Sequence, residues 1–288
     1  MRQTGENNTH ATPLELEEFK KTILDFYTLS GRSLPWRYVV NPNPWGVLVS
    51  EFMLQQTQVF RVLPYWERWM KLWPAPADLA AAPLETVFRE WSGLGYNRRA
   101  RNLRNCAAII AARHGGIVPC TPETLITLPG IGAYTAGAIA CFAWDYPAVF
   151  IETNIRAVLL HFFFFDGCGI KDDELLPILK QTLDHSNPRV WYWALMDYGA
   201  ELKKLSKNPN RKSAHYTKQS PFIGSFRQIR GALIKVLSVN GPQDAVSLRE
   251  EVKHILKTVT DKEYSRALET LEKEMMVAEE SGVYRIRG

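Results

Sequence analysis

Helical periodicity, interrupted by proline and glycine, runs through most of this sequence, and strand signals are scarce. Thr12-Pro13 followed by Glu15 has the cap, the first-turn proline and the acid that begin a helix, which we expect to run to about Ser30. The same signals predict two helices between residues 46 and 73, two short ones between 77 and 91, and others over 97–113, 172–184 and 188–205. We therefore expect an all-α chain.

The last part of the chain has a pattern of its own. Helices are predicted over 228–239, 247–258 and 261–280, and residues 281–286 are expected to close a short strand pair. These elements predict a small C-terminal helical module, for which a winged helix is a fitting arrangement. We divide the chain into a helical core over 12–205, a basic loop over 206–225 and this module over 226–288.

Composition argues against a membrane or secreted protein. The longest apolar runs fall short of the roughly 20 residues that a spanning helix needs, and the first residues lack the apolar segment of a signal peptide. The expected location is the cytoplasm, and the nucleoid if the source is bacterial. No C-x-x-C spacing occurs, so we expect reduced thiols and no metal site at the four cysteines, Cys106, Cys120, Cys141 and Cys168.

Positive charge is distributed unevenly along the chain. The net charge is only +5, yet residues 201–230 hold eight Lys/Arg against one acid. A basic stripe of this kind favours a polyanion as partner, with a solvated surface as the alternative.

A glycine-rich turn separates two predicted helices in the middle of the chain. Residues 128–138 read L-P-G-I-G-A-Y-T-A-G-A, with a short helix before Pro129 and a second helix up to Cys141. Such a turn exposes successive backbone N–H groups at a helix N-terminus, which suits a phosphate. An ordinary turn between two helices, which uses glycine for its backbone freedom, is the alternative.

Three further segments accompany this turn: S-E-F-M-L-Q-Q-T-Q-V at 50–59, G-L-G-Y-N-R-R-A-R-N-L at 93–103 and M-D-Y-G-A at 196–200. With them, residues 15–205 resemble the helix-hairpin-helix (HhH-GPD) DNA glycosylase superfamily, in its MutY-type adenine glycosylase branch. The resemblance implies a two-lobed fold and a monomeric base excision repair enzyme. Such an enzyme flips a base out of mismatched or damaged double-stranded DNA and hydrolyses its N-glycosidic bond.

The resemblance assigns an acid to Glu51. In the family the matching glutamate protonates the target purine, and a carboxyl group in a closed apolar pocket suits that task. The sequence alone places Glu51 at the head of a helix, so a structural acid favoured by the helix dipole is the alternative. Gln55 is expected to line the base pocket.

Tyr134 follows the hairpin turn. Bifunctional relatives have a lysine at this position, which forms a Schiff base with the sugar and then cleaves the strand. A phenol cannot form that intermediate, so the resemblance implies base release without strand scission. A core tyrosine with one hydrogen bond is the alternative.

Glu152 lies in the apolar stretch V-F-I-E-T-N-I-R-A at 149–157. An unpaired buried carboxylate costs roughly several kcal/mol, so this acid needs a partner or a task. It occupies the position of a family aspartate that stabilises the positively charged sugar, and Asn154 matches a family asparagine. Glutamate is one methylene longer, and a simple pair between Glu152 and Arg156 is the alternative.

The resemblance also implies a set of DNA contacts. Gln56 and Tyr96 match positions that wedge into the duplex when the target nucleotide leaves it. The other expected DNA contacts are Arg98, Arg99 and Arg101 on one helix, Gly130 and Gly132 in the hairpin, and Lys203, Lys204, Arg211 and Lys212 in or beside the basic loop.

The chain departs from the branch in two places. The segment after 196–200 lacks the four cysteines that hold a 4Fe–4S cluster in relatives, so we expect neither that cluster nor any other cofactor. The residues from 226 onward are too few for the Nudix-like domain that recognises 8-oxoguanine. Adenine opposite 8-oxoguanine or guanine is the first expected target, then thymine or uracil opposite guanine, then hypoxanthine, and an inactive DNA-structure-binding protein is a further alternative.

Overall fold

The computed structural model describes residues 12–38, 40–205, 207–218 and 221–287. Helices dominate these residues, so the all-α prediction is confirmed, with one small sheet near the C-terminus. Residues 206, 219 and 220 of the predicted basic loop, and residue 288 of the predicted module, lie outside the described residues.

The elements follow the predicted order closely. The helices are α1 (Pro13–Ser30), α2 (Pro44–Leu54), α3 (Val59–Leu72), α4 (Pro76–Ala81), α5 (Leu84–Trp91), α6 (Arg98–Arg113), α7 (Pro122–Leu125), α8 (Ala133–Trp144), α9 (Thr153–Phe163), α10 (Asp172–Thr182), α11 (Pro188–Leu205), α12 (Phe226–Asn240), α13 (Ala245–Ile255) and α14 (Asp261–Lys273). The strands are β1 (Gln243–Asp244), β2 (Val277–Glu280) and β3 (Val283–Ile286), and a 3-10 turn spans Pro209–Lys212.

The described residues divide into two compact units. The first unit lies within Met1–Val47, Cys120–Thr127 and Ile131–Lys218, and the second within Leu48–Pro119, Leu128–Gly130 and Gln219–Gly288. The C-terminal helices therefore share the second unit with α3 to α6.

Aromatic side chains fill the core of the first unit. Helix α9 packs along α11, and α1 packs on α11 as well. Phe19 of α1 is the centre of the aromatic cluster, with its ring 5.0 Å from Phe162, 5.1 Å from Phe163 and 5.8 Å from Trp191. The phenylalanine run at the end of α9 therefore belongs to the core that anchors α9.

The second unit is built around α5 and α6. Helix α4 packs on α6, and α12 packs on the other element of this pair, α5. Trp69 and Trp91 are buried with their rings 5.2 Å apart. Helix α12 also contacts α13 and α14, which ties the C-terminal module to the unit.

The end of the chain differs from the prediction at one point. The helix predicted over 261–280 ends at Lys273, because Met275 has a φ of 57° that a helix cannot continue through. Val277 then pairs with Ile286, so the predicted strand pair is confirmed, and β1 extends it to an antiparallel sheet of order β1-β3-β2. Within the described part of the chain, no helix combines the length and apolar character needed to cross a membrane.

Candidate active site

Glu51 lies in the last turn of α2 and is 5% exposed. Its neighbours Ser50, Phe52 and Met53 are fully buried. The alternative of a helix-start acid is wrong, because the C-terminal end of the helix dipole does not favour a carboxylate. Its burial in this apolar surrounding keeps Glu51 a candidate for the expected general acid.

The two predicted wedge residues have unusual backbones. Gln56 has a φ of 56° and Tyr96 a φ of 51°, both in the left-handed region that side chains other than glycine rarely adopt. Gln56 is exposed, and Tyr96 is 36% exposed. Such strain persists only where the surroundings hold it, and it concentrates at functional sites. Gln55, the expected pocket residue, precedes this turn and is half-buried.

Arg99 holds together the two loops that contain Gln56 and Tyr96. It is 7% exposed, so the prediction that it contacts phosphate is wrong, because its guanidinium is enclosed between the loops. Burial lowers its pKa to about 10, which leaves it charged at neutral pH. It donates to Thr57 Oγ1 and to the backbone carbonyls of Phe52, Met53, Gln55, Leu94 and Gly95, at 2.6–3.1 Å.

Arg98 and Arg101, the other two arginines of α6 that are expected to contact DNA, lie at or near the surface. Arg98 is exposed at the first position of the helix, and Arg101 is half-buried one turn later. Partial burial lowers the pKa of Arg101, and the neighbouring charge of Arg98 adds to that effect. Both stay candidates for phosphate contacts.

The hairpin has the predicted form. Gly130 has a φ of 82°, and a Cβ there would lie 2.8 Å from Phe52 and from Asn102, so the turn requires glycine. Gly132 is exposed and caps the N-terminus of α8. Tyr134, the second residue of α8, is half-buried with its ring 5.8 Å from Phe150.

Glu152 begins α9 as its cap. The backbone N–H of Asn154 donates to Glu152 Oε2 at 2.7 Å, and the side-chain amide of Asn154 donates to Oε1 at 2.6 Å. Lys203 of α11 donates from Nζ to Asn154 Oδ1 at 2.7 Å. Asn154 thus holds both carboxylate oxygens with one side chain and is itself oriented by Lys203.

The hydrogen bonds and charges around Glu152 only partly offset the effect of burial on its pKa. Although the residue keeps some exposed surface, its carboxyl group is desolvated, and this burial raises its pKa. The two Asn154 hydrogen bonds and the charge of Lys203 lower it again but only in part. Burial lowers the pKa of Lys203, against the pull of Glu152. The predicted alternative pair is wrong, because Arg156 binds Asp172 through both oxygens at 2.6 and 2.7 Å.

Comparisons with known proteins agree with this geometry. The family model described as "HhH-GPD superfamily base excision DNA repair protein" matches residues 49–185. A protein of Mycobacterium tuberculosis named "Adenine DNA glycosylase" is 48% identical over 240 residues, which cover 75% of this chain and 77% of the relative. A protein of the same name from Mycolicibacterium smegmatis is 48% identical over 234 residues, covering 75% and 78%.

This chain belongs to the HhH-GPD superfamily. The predicted MutY-type branch, the DNA N-glycosylase activity and DNA as the partner are thereby confirmed at the level of the family. The structure of a thermostable thymine-DNA glycosylase is similar in fold, with a TM-score of 0.60 and 23% identity over 70% of this chain and 94% of the other. An endonuclease III–DNA complex gives a TM-score of 0.56 and 21% identity, covering 75% and 92%.

The M-D-Y-G-A motif at 196–200 of α11 packs against the helix that begins at Glu152. Gly199 of α11 lies so close to α9 that a Cβ would be 2.3 Å from the Asn154 carbonyl oxygen. Asp197 of the same motif is 3% exposed and binds Arg32 and Arg37 through both oxygens. Sequence reasoning used the motif only for recognition, although an aspartate within an apolar helix already signals a buried partner.

Two lysines expected to face DNA have structural contacts. Lys203 is partly buried and holds Asn154, and its expected DNA contact stays a prediction. Lys212 donates to the carbonyls of Phe164 and Phe165 at 2.6 and 2.8 Å, where it satisfies the end of α9. Its expected DNA contact also stays a prediction. Lys204, in an exposed pair with Glu201, and the exposed Arg211 stay candidates.

The loop beyond α11 is held by hydrogen bonds at both ends of α9. The side-chain amide of Asn210 donates to the Thr153 carbonyl at 2.9 Å, and Ile170 pairs with Ser213 in a parallel bridge. Sequence reasoning missed Asn210, because nothing in its local sequence indicates a contact so far along the chain. The residues present do not fit an iron–sulfur cluster, since the last cysteine of the chain is Cys168.

Proposed function

We propose that this chain is a monofunctional adenine DNA glycosylase that acts as a monomer on mismatched or damaged double-stranded DNA. The observation that carries the proposal is the Glu152 carboxylate, which is desolvated and yet held by Asn154 in one orientation. A fixed anion of this kind suits a developing sugar cation, and the relatives named above supply adenine as the target base.

Glu51 is the proposed acid. Its proton is transferred to the adenine ring, the N-glycosidic bond breaks with its electron pair going to the base, and the sugar becomes positively charged. Water then adds to the sugar carbon, and the proton that it loses passes to the Glu51 carboxylate, which restores the acid. A buried side chain in the last turn of α2 supports the assignment, because a closed site favours transfer from a neutral acid.

Glu152 is the proposed stabiliser of the sugar cation. The longer side chain is accommodated by its place at the cap of α9, where the carboxylate folds back onto the first turn of the helix. This fold-back fixes both oxygens through Asn154, so the extra methylene adds no freedom. Tyr134 is the proposed support on the sugar side, and its phenol forms no Schiff base, so no strand cleavage should follow.

The proposed enzyme works without an iron–sulfur cluster. Asn210 and Lys212 tie the loop after α11 to the two ends of α9, which supports a metal-free role for this segment. Adenine opposite 8-oxoguanine or guanine is the proposed pair, and Gln56 and Tyr96 are the proposed wedge that replaces the extruded nucleotide in the stack.

A panel of duplexes tests this function. Each duplex carries one candidate pair: adenine with 8-oxoguanine or guanine, thymine or uracil with guanine, or hypoxanthine with thymine. Base release is measured with and without hot alkali. We expect release of adenine, with strand breaks only after alkali. Release of another base in preference to adenine, breaks without alkali, or tight binding without any release would each contradict the proposal.

Glu51→Gln tests the acid within the same assay. Removing the proton donor should slow adenine release by about 10²–10⁴-fold while DNA affinity stays as in the wild type. Glu18→Gln, an exposed glutamate on α1, is the matched control and should release adenine normally. Near-normal turnover of the Glu51 variant would refute the acid role.

A further inference from the structure

A large cleft opens within the second unit. Its volume is about 1140 Å³, which is above the roughly 300–1,000 Å³ of small-molecule pockets. One wall is formed by the loops that contain Gln56 and Tyr96, and the facing wall by α12 of the C-terminal module. The cleft therefore joins the wedge loops to a module that the family resemblance, which ends near residue 205, leaves without a task.

The cleft carries excess positive charge. Among the described residues that line it, the one acid is Glu274, which Arg230 pairs with through both oxygens at 2.6 and 3.0 Å. Arg99 is committed to backbone carbonyls. The described residues that line the cleft also include the cations Arg61, Arg98, Arg227 and Lys235. Such a surplus in a groove attracts a polyanion.

The other lining side chains match one polyanion in particular. The amides of Gln55, Gln58, Asn97 and Gln228 face the cleft together with the aromatic ring of Phe222. Cations for phosphate, amides for base edges and rings for stacking are the combination that binds a nucleic-acid strand. An acidic protein segment would use the cations but has no planar bases to stack on the aromatic ring.

Arg227 connects the two walls directly. Its guanidinium lies 5.4 Å from the centre of the Tyr96 ring and donates a hydrogen bond to the Tyr96 hydroxyl. Helix α12 is thus in contact with a predicted wedge residue. A strand that passes the wedge would meet Arg227 first and Lys235, two helical turns further along α12, next.

We propose that this cleft is a DNA-strand binding site in which Arg227 and Lys235 of the C-terminal module contact the phosphates beside the wedge. The inference rests on the proposed function, since it assigns the module to the same DNA substrate. It makes the final three helices part of the DNA-binding surface of the enzyme.

Salt-dependent binding of the full-length chain tests the site. The probe is a fluorescent duplex with a tetrahydrofuran abasic analogue opposite guanine, so that binding is measured without base release. We expect Arg227→Met and Lys235→Met each to weaken binding about tenfold, the gain expected from one charged contact. Each should also reduce the slope of log K against log salt by roughly 0.9, as one lost phosphate contact predicts.

Lys262→Met is the matched control, an exposed lysine of the same module outside the cleft, and it should bind as the wild type does. Unchanged affinity and salt slope in both cleft variants would overturn the proposal and favour a protein partner for the cleft. If cleft variants bind weakly while the wild type releases no base from any duplex, the glycosylase proposal fails and the cleft assignment stands. If adenine is released normally and the cleft variants bind normally, only the cleft assignment fails.

Discussion

Two carboxylates within the first unit, Asp197 and Glu152, experience opposite electrostatics. Burial by itself would raise the pKa of Asp197, but the guanidinium groups of Arg37 and Arg32 hold that pKa below its usual value. Burial also raises the pKa of Glu152, and Asn154 and Lys203 compensate only in part. The protein thus satisfies one acid completely and leaves the other short of positive charge.

We propose that this difference separates an acid that supports the fold, Asp197, from one that serves the reaction, Glu152. A folded-state pKa below the unfolded value means that Asp197 stabilises the protein above the unfolded pKa and that this stability is lost as pH falls through the folded pKa. Glu152 has the reverse sign. Its contribution is fully present below the unfolded pKa and is lost as pH rises through the raised folded pKa. Ionising Glu152 in the folded protein therefore costs stability, which we propose that the functional site tolerates.

Asp197→Asn should produce the largest effect. The change leaves Arg37, which is almost fully buried, without its anionic partner, and breaking a buried pair costs about 3–5 kcal/mol. Urea unfolding measures the loss. Asp166→Asn, at an exposed position, is the control and should unfold as the wild type does. If Asp197→Asn is as stable as the control, Asp197 does not stabilise the fold as described.

Glu152→Gln should have the second-largest effect, which is on the rate of adenine release. Removal of the fixed anion should slow adenine release by roughly 10²–10³-fold in single turnover. Because the native carboxylate is undercompensated, this variant should lose far less stability at pH 8 than Asp197→Asn does. Large destabilisation with little change in the rate would reverse the roles of the two acids.

Glu152→Asp should have an intermediate effect. The shorter side chain withdraws the carboxylate from the fork made by Asn154, and displacements of ~1 Å can cost up to ~10²-fold in rate. Single-turnover rates on the adenine duplex measure this effect. A variant that unfolds at the same urea concentration as the wild type has kept its fold. A faster aspartate variant would mean that glutamate is not adapted to this site.

Lys203→Met should have the smallest effect, and its signature is in the pH profile. Loss of the cation raises the pKa of Glu152 further, so the acid limb of the rate profile should move to higher pH. We expect adenine release at pH 6 to fall roughly tenfold more than at pH 8.5. Lys204→Met, at the exposed neighbour, should leave the profile in place. Equal loss at both pH values would indicate a merely structural lysine.

The helices could be predicted because their signals are local. Thr12 and Glu15 form the expected capping box, and the Gly130 turn needs its glycine for the reasons that the sequence indicates. The helix predicted over 261–280 is too long, because the break at Met275 depends on pairing between β2 and β3 and not on periodicity.

The environment of the charged side chains could not be predicted. Glu152 and Asn154 are two residues apart, so their relation was visible in the sequence, whereas Arg32 and Asp197 meet only after folding. Arg99, Lys203 and Lys212 look like surface cations in the sequence, and only the packing around them shows which acceptors they bind. Tertiary contacts decide whether a cation faces solvent or the interior.

We propose that Glu152 is ionised for the reaction at a cost to the stability of the fold. The most direct measurement is the free energy of unfolding of the wild type and of Glu152→Gln from pH 4.5 to 9, with adenine release followed over the same range. We predict that the wild type loses stability relative to the variant as pH rises through the Glu152 pKa, while its rate of release increases along the same acid limb of the rate profile. A stability difference that is independent of pH, or one that favours the wild type more at higher pH, would contradict the account.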